Sequence, residues 1–184
     1  MIVLGVDPGT LVTGYGVISV ANGGMDVLAC GAVRNRAETA MAGRLKHIYN
    51  SLAAVIEHYR PDEFALETAF YGKNAQSALK LGQARGVALL AAVVRDIPTS
   101  EYSPREVKTA IVGNGTASKE QVQYMVKALL GLPEAPRPFD VSDALAVALC
   151  HLQRKQAGRP PAKSWKSFVA AHPEKVAVNR SPRR

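Results

Sequence analysis

The first sixteen or so residues, IVLGVDPGTLVTGYGV after the initiating Met, constrain the fold more than any other stretch. Residues 2–7 are apolar at nearly every position and end on one acid, Asp7, immediately before a Pro-Gly turn. A strand that is apolar on both faces has to be covered on both faces, which places it inside a sheet flanked by helices. The turn signals DPGT and NGG then separate three consecutive strands, at about 2–7, 13–20 and 25–34. Leu45, Ile48, Leu52, Val55, Ile56 and Tyr59 recur at helical spacing and predict a helix over about 41–59, stopped by Pro61. A strand at about 62–67, a long helix at about 73–95 and a strand at about 98–102 follow. Beyond Pro104 come a short helix, a helix over about 118–130 and a last one over about 140–155, which carries Val141, Leu145, Ala148, Leu149 and Leu152 on one face. Three antiparallel strands joined to two parallel ones by crossover helices predict an α/β fold, a five-stranded mixed sheet with helices on both faces.

Composition narrows the class. The 184 residues, 47% of them apolar, suffice for one domain with a full core. The chain has no run of about 18 apolar residues. The N-terminus has neither a basic n-region nor a cleavage-type segment, so a cytoplasmic location is expected. Cys30 and Cys150 lack metal or redox spacing and are expected to be core thiols in a reducing compartment, with a disulfide as the alternative. The net charge of +8 sits in the tail, where residues 154–184 hold nine Lys/Arg against one acid, while the preceding body is balanced at 14 against 14. From about Ala157 the chain is rich in Pro, Lys, Arg and Ser without periodicity, which predicts a folded domain over 1–156 and a basic, disordered tail over 157–184. Between Lys73 and Lys127 eight basic residues face four acids, which predicts a local positive surface.

Four carboxylates stand at the ends of apolar elements. Asp7 closes the first strand, Glu67 closes the run FALE, and Asp140 and Asp143 open the last helix. Ligands of open α/β sheets bind at such strand ends. Two acids three apart on a helix can face one target. Each has an ordinary explanation as well: Asp140 as an N-cap, Asp143 as a first-turn acid favoured by the helix dipole, Glu67 as an exposed strand end. Together they form an all-oxygen set, which suits Mg²⁺ or Mn²⁺ better than zinc. Without a cation the cluster is costly, since one pair about 4 Å apart repels by roughly 4 kcal/mol at an effective dielectric near 20.

Phe70 and Tyr71 follow Glu67 closely and could stack on an unpaired base or pack in the core. Ala78, Gly82 and Gly86 form a ridge of small residues on the long helix, suited to close packing within the chain or to a symmetric pairing with a second copy. His47, His58, His151 and His172 lack ligand spacing, and His151 is expected to be structural or on the surface. Trp165 lies in the basic tail.

The segments GVDPGTLVTGYGV, FALETAFYGKNAQSALKLGQARGVALLAAV, EYSPREVKTAIVGNGTASKEQVQYMV and FDVSDALAVALCH closely resemble the RuvC family of Holliday-junction resolvases. The resemblance runs from about Met1 to about Leu152, and KNAQSALKLGQARG is its most specific part; the tail beyond about Gln153 does not match. It implies an RNase H-like fold and a homodimeric, metal-dependent endonuclease that cuts four-way DNA junctions in recombination and repair, leaving 5′-phosphate and 3′-hydroxyl ends. It further implies that Asp7, Glu67, Asp140 and Asp143 are the catalytic acids and hold two Mg²⁺ ions per subunit, with Mn²⁺ as a substitute. Asp7 would be best placed to bridge the two ions, which would activate water and stabilise the leaving 3′-oxygen. Phe70 resembles the residue that stacks on DNA at the crossover, and Lys108 and Lys119 the basic residues near the scissile phosphate. Tyr71, Lys73, Lys80 and Arg85 are further candidate DNA contacts, the ridge at Ala78, Gly82 and Gly86 is the candidate dimer face, and a branch-migration helicase complex is an implied partner. Three rivals are weaker. The DPGT loop also resembles the phosphate loop of actin-like ATPases and sugar kinases, but 184 residues leave no room for their second domain. Four intact acids disfavour an inactive DNA-binding dimer. The segments around the long helix disfavour a related nuclease acting on RNA.

Overall fold

A computed structural model describes residues 1–21, 23–68 and 75–156. The elements in chain order are β1 (Ile2–Asp7), β2 (Val12–Ala21), β3 (Gly24–Arg34), α1 (Met41–Tyr59), β4 (Glu63–Glu67), α2 (Ala75–Val93), β5 (Thr99–Tyr102), α3 (Pro104–Val112), α4 (Lys119–Leu129) and α5 (Phe139–Gln156). The strands form one sheet in the order β3-β2-β1-β4-β5. β1 and β2 pair antiparallel, as do β2 and β3, whereas β1–β4 and β4–β5 are parallel. This is the expected mixed sheet, with β1 at its centre. The chain divides into the units Met1–Leu152 and Gln153–Arg184. The tail expected to be disordered, with Trp165 and His172, lies outside the described residues. Among the described residues no helix is long and apolar enough to cross a membrane.

The sheet separates two apolar clusters, and strand alternation decides which residue joins which. Leu4, Val6, Val17, Val33, Phe64 and Leu66 pack with buried residues of α1 (Ile48, Leu52, Ile56) and α2 (Ala84, Ala88, Ala91, Ala92). Val3, Ile18, Ala65 and Tyr102 point the other way, into a cluster with α3, α4 and α5. The last helix departs from its expected single apolar face. From Val141 to Leu152 every residue except Asp143 is buried, Ser142 and His151 included. A helix apolar all round has to be enclosed, and α5 is the central helix of its layer.

Three glycines explain how α5 gets so close to the sheet. Gly5 pairs with Gly16 across β1 and β2, and Gly14 pairs with Asp7. A methyl group at Gly5 would overlap the Ala144 carbonyl oxygen, one at Gly14 the Asp140 carbonyl oxygen, and one at Gly16 the Leu145 side chain. Glycine inside a strand marks a place where another backbone comes near. Here the neighbouring backbone is the helix that carries Asp140 and Asp143.

One expectation needs correcting, and one open alternative is decided. Cys30 is exposed, not a core thiol, because it sits on the edge strand β3, which the α5 cluster covers only in part, at Val27 and Ala32; Cys150 is buried, and both cysteines are free. Of the two alternatives for His151, structural or on the surface, the structural one holds, since the residue is buried. Its Nδ1 lies 2.8 Å from the Tyr102 hydroxyl, and its Nε2 hydrogen-bonds the Glu63 carboxylate. Burial lowers its pKa, which fits a neutral ring that accepts at Nδ1 and donates at Nε2.

Replacing Gly14 with Ala should cost about 1–3 kcal/mol, the usual range for overpacking, and push the start of α5 away from Asp7. Gly24→Ala, where the nearest atom to an added methyl is 3.7 Å away, should stay within about 0.5 kcal/mol of the parent. Urea denaturation of the two variants makes the comparison, and equal midpoints would mean that the close approach at Gly14 is not needed.

Candidate active site

The parallel pairing of β1 with β4 brings Val6 opposite Leu66, so the next residues, Asp7 and Glu67, leave the sheet side by side on its α5 face. α5 crosses directly above Gly14, the register partner of Asp7, and delivers Asp140 and Asp143 to the same place. The N-cap explanation for Asp140 does not hold, because the helix already starts at Phe139. Both acids instead lie at the positive end of the α5 dipole, which favours negative charge there.

Asp7, Glu67 and Asp143 line one cleft of about 230 Å³, together with Lys108, Lys119, Pro104, Val107 and Val122. Asp140 does not line the cleft, but its charge acts on Asp7. Burial, then the neighbouring Asp143 and Asp140, push the Asp7 carboxyl up from 3.8 to about 7. Burial, then Asp7 and Asp143, push Glu67 up from 4.5 to about 8. Asp143 is also raised, mainly by burial, with Lys119 opposing the shift. Acids that raise one another share one field, so the three segments do converge.

Local sequence sets the cationic wall. Ser103 and Glu106 make a reciprocal capping box at the start of α3, with Pro104 in its first turn, and this fixes the helix that carries Lys108. Ser118 and Gln121 do the same for α4. Lys119 follows that cap directly, at the helix end where a positive charge is disfavoured. The acids compensate: Lys119 Nζ stands 3.1 Å from Asp143 Oδ2. On the β1–β2 side, the Thr13 hydroxyl donates to the Gly9 carbonyl at 2.7 Å and fixes the turn after Asp7.

The donor set is of the kind a hard divalent cation takes: carboxylate oxygens that are buried, mutually repelling and held partly protonated without one. Among the described residues, however, no three such side chains already stand in a ligating group. The Lys119–Asp143 pair explains part of this, since the ammonium holds the carboxylate that an ion would draw inwards.

The other expected residues divide. Lys80 is exposed on α2, across the sheet from the cleft, and does not line it. Arg85 is paired with Glu101, so its charge is matched, although its Nε is buried without a partner. Of the described basic residues from Lys80 to Lys127, Lys108 and Lys119 are the ones found at the cleft. Phe70, Tyr71 and Lys73 lie outside the described residues. Gly82 and Gly86 have nothing within 4 Å of an added methyl, and Ala78 is half-buried, so packing within the described chain does not account for the two glycines. Sequence reasoning missed Gly14 and Thr13, which seat the helix and the turn. A strand with glycine at alternate positions, TGYG, was the available signal for the first.

Comparison with known proteins agrees with this geometry. A profile described as crossover junction endodeoxyribonuclease RuvC matches residues 3–151. The chain is similar to proteins of that name from Chlorobaculum parvum, at 47% identity over 96% of this chain and all of the relative, and from Pelodictyon phaeoclathratiforme, at 49% over 96% and 97%. Alignment over 96% of the chain runs past Leu152, so the likeness reaches further into the tail than the motifs alone suggest. Among solved structures it is similar to Thermus thermophilus RuvC in complex with a Holliday junction substrate, with a TM-score of 0.80 and 36% identity over 86% of this chain and 96% of that one. The chain belongs to the RuvC family of crossover junction endodeoxyribonucleases.

Proposed function

We propose that this protein nicks four-way DNA junctions symmetrically, as a homodimer, by divalent-metal-dependent hydrolysis of a phosphodiester. The observation that carries this reading is the meeting of Asp7, Glu67 and Asp143 in one cleft walled by Lys108 and Lys119, with Asp140 adding its charge. The four carboxylates would hold two Mg²⁺ ions per subunit, with Mn²⁺ as a substitute, because both ions prefer oxygen ligands. Bound there, the ions would supply activation of water and neutralisation of charge on the phosphate. The chain's own residues supply position. Asp7 sits at the centre of the acid set, and β1 and β4 fix its separation from Glu67. Lys108 and Lys119 balance the acids, so that a phosphate can approach a cleft that would otherwise repel it. Lys119 is 60% exposed at its side chain and can leave Asp143 for a phosphate oxygen. Water adds across the phosphodiester, leaving a 5′-phosphate and a 3′-hydroxyl.

The α2 face supports a dimer. Leu79, Leu90 and Val93 are 66%, 50% and 53% exposed and share that helix with the open Gly82 and Gly86. They recur at 79, 82, 86, 90 and 93, a helical stripe that a second copy could cover. A two-fold pairing would present two clefts to the two strands of a near-symmetric junction. A branch-migration helicase complex is the further partner that family membership implies.

Three outcomes test this reading. Asp7→Asn should abolish nicking of a synthetic four-way junction in Mg²⁺ while junction binding survives, with linear duplex uncut by either protein; full activity in the variant would remove Asp7 from the chemistry. Leu79→Glu combined with Leu90→Glu should convert a dimer into a monomer in sedimentation at micromolar protein, and a monomeric parent would defeat the pairing. The third concerns pH. Both folded pKa values, about 7 and about 8, lie above the unfolded ones, so these carboxyls contribute stability fully below about pH 4 and lose it as pH rises through 7 to 8. Metal-free protein should therefore lose up to roughly 5 kcal/mol between pH 5.5 and 8.5 through these groups, Asp7→Asn should lose less, and Mg²⁺ should restore most of the loss. Urea melts at the two pH values measure it, and identical pH dependence in parent and variant would show that Asp7 is not strained by its neighbours.

A further inference from the structure

The known cations of the cleft, Lys108 and Lys119, stand on one side of it, on α3 and α4. On the other side of β1 in the sheet order come β2 and β3, which do not line the cleft itself but end just beyond it. Arg34, the last residue of β3, pairs with Val12, one two-residue step beyond the Gly14–Ala32 pair and therefore beyond the Asp7 row. Alternation fixes its direction. Val33 packs with α1 and α2, whereas Ala32 packs with the α5 cluster, so Arg34 projects from the same sheet face as Asp7 and Glu67. Two strand spacings and one two-residue step put its Cα about 12 Å from that of Asp7, within a few nucleotides along a bound strand.

Several observations show that Arg34 is available and held. It is exposed, and none of the described ion pairs involves it. Its neighbour Asn35 fastens the strand end. The Asn35 backbone N–H donates to the Leu11 carbonyl at 2.8 Å, and its side-chain amide donates to the Thr10 carbonyl at 3.0 Å, in the turn that follows Asp7. Arg36 is exposed just beyond, and Glu38 is the one acid of that connection. Ala32 marks the edge of the α5 cluster on this face, and Arg34, two residues further on, is exposed at the rim of the sheet.

We infer that Arg34 binds a backbone phosphate of the junction on the β3 side of the cleft, so that the cut strand crosses the sheet end between Lys108/Lys119 on one flank and Arg34 on the other. This rests on the nuclease reading of the cleft and adds to it a path for the strand. A guanidinium offers a planar fork matched to two phosphate oxygens. Its placement on a paired strand pre-orders it for that contact.

The test is binding of a fluorescent four-way junction in EDTA, titrated from 50 to 200 mM salt. Arg34→Gln should weaken binding about 3- to 10-fold and lower the slope of log affinity against log salt by about 0.9, the value of one phosphate contact. Arg34→Glu should weaken it further, and Arg34→Lys should keep most of the slope. Arg60→Gln, beyond α1 at the opposite end of the sheet, should match the parent in affinity and slope. In Mg²⁺ the Arg34→Gln protein should nick with a KM raised several-fold. If the parent and Arg34→Gln share one affinity and one slope while the parent still cuts the junction, the inference fails and the nuclease reading stands. If the parent itself does not prefer a junction over linear duplex, the nuclease reading fails and the assignment of Arg34 fails with it.

Discussion

The seat of α5 on three glycines governs the rest of the molecule. An α-helix normally stands off a sheet by the length of the side chains between them. At Gly5 and Gly14 the backbone of α5 lies directly against β1 and β2, and at Gly16 the Leu145 side chain fills the room a methyl would take. Asp140 and Asp143 owe their place beside Asp7 to that contact, and so does the enclosure of the helix on its other side by α3 and α4. The cost is spread over a long element: nearly every residue from Val141 to Leu152 is buried, at the usual gain of roughly 25 cal/mol for each Å² of apolar surface removed from water. A well-buried helix can afford one end crowded with acids.

That crowding shapes the chemistry. Asp7 is raised towards neutrality by burial, Asp143 and Asp140, and Glu67 by burial, Asp7 and Asp143, a state in which protons stand in for cations. Lys119 does part of the same work from a position its own helix disfavours, the turn directly after the Ser118 cap. Helix dipole, ammonium and protons each offset some repulsion, and each can be displaced. The folded chain thus keeps a set of oxygen ligands in reach of one another without collapsing the cleft, and a divalent ion would relieve the strain that these substitutes only reduce.

Much of this was legible in the sequence because its signals are local. Apolar runs ending on Asp7 and Glu67 gave both strands and the acids at their ends, and the capping serines of α3 and α4 lie in plain view. What was not legible depends on partners far away in the chain. Cys30 looks like a core residue until the sheet order places it on the edge strand β3, which the α5 cluster covers only in part. Arg85 looks like a free phosphate ligand until β5 brings Glu101 against it. His151, without ligand spacing, gave no sign that Tyr102 and Glu63, 49 and 88 residues away in the chain, would bond both of its nitrogens. Periodicity reports which face of an element is covered; it does not report by what.

The His151 bonds bear on the acids at the other end of the same helix. Glu63 opens β4, and Glu67 closes it; Tyr102 closes β5 beside Glu67. β4 is therefore tied to α5 at its amino end through Glu63 and His151, while its carboxyl end presents Glu67 to the acids at the start of that helix. Glycine contacts alone would let a helix slide along its trough, since they are steric and the surface they leave is smooth. A buried, directional bond at the far end resists that sliding. The trough sets how near α5 lies to the sheet, and the Tyr102–His151–Glu63 chain sets where along it the helix stops. Catalytic geometry needs both, because Asp143 must be fixed in height above Asp7 and in position along the strand.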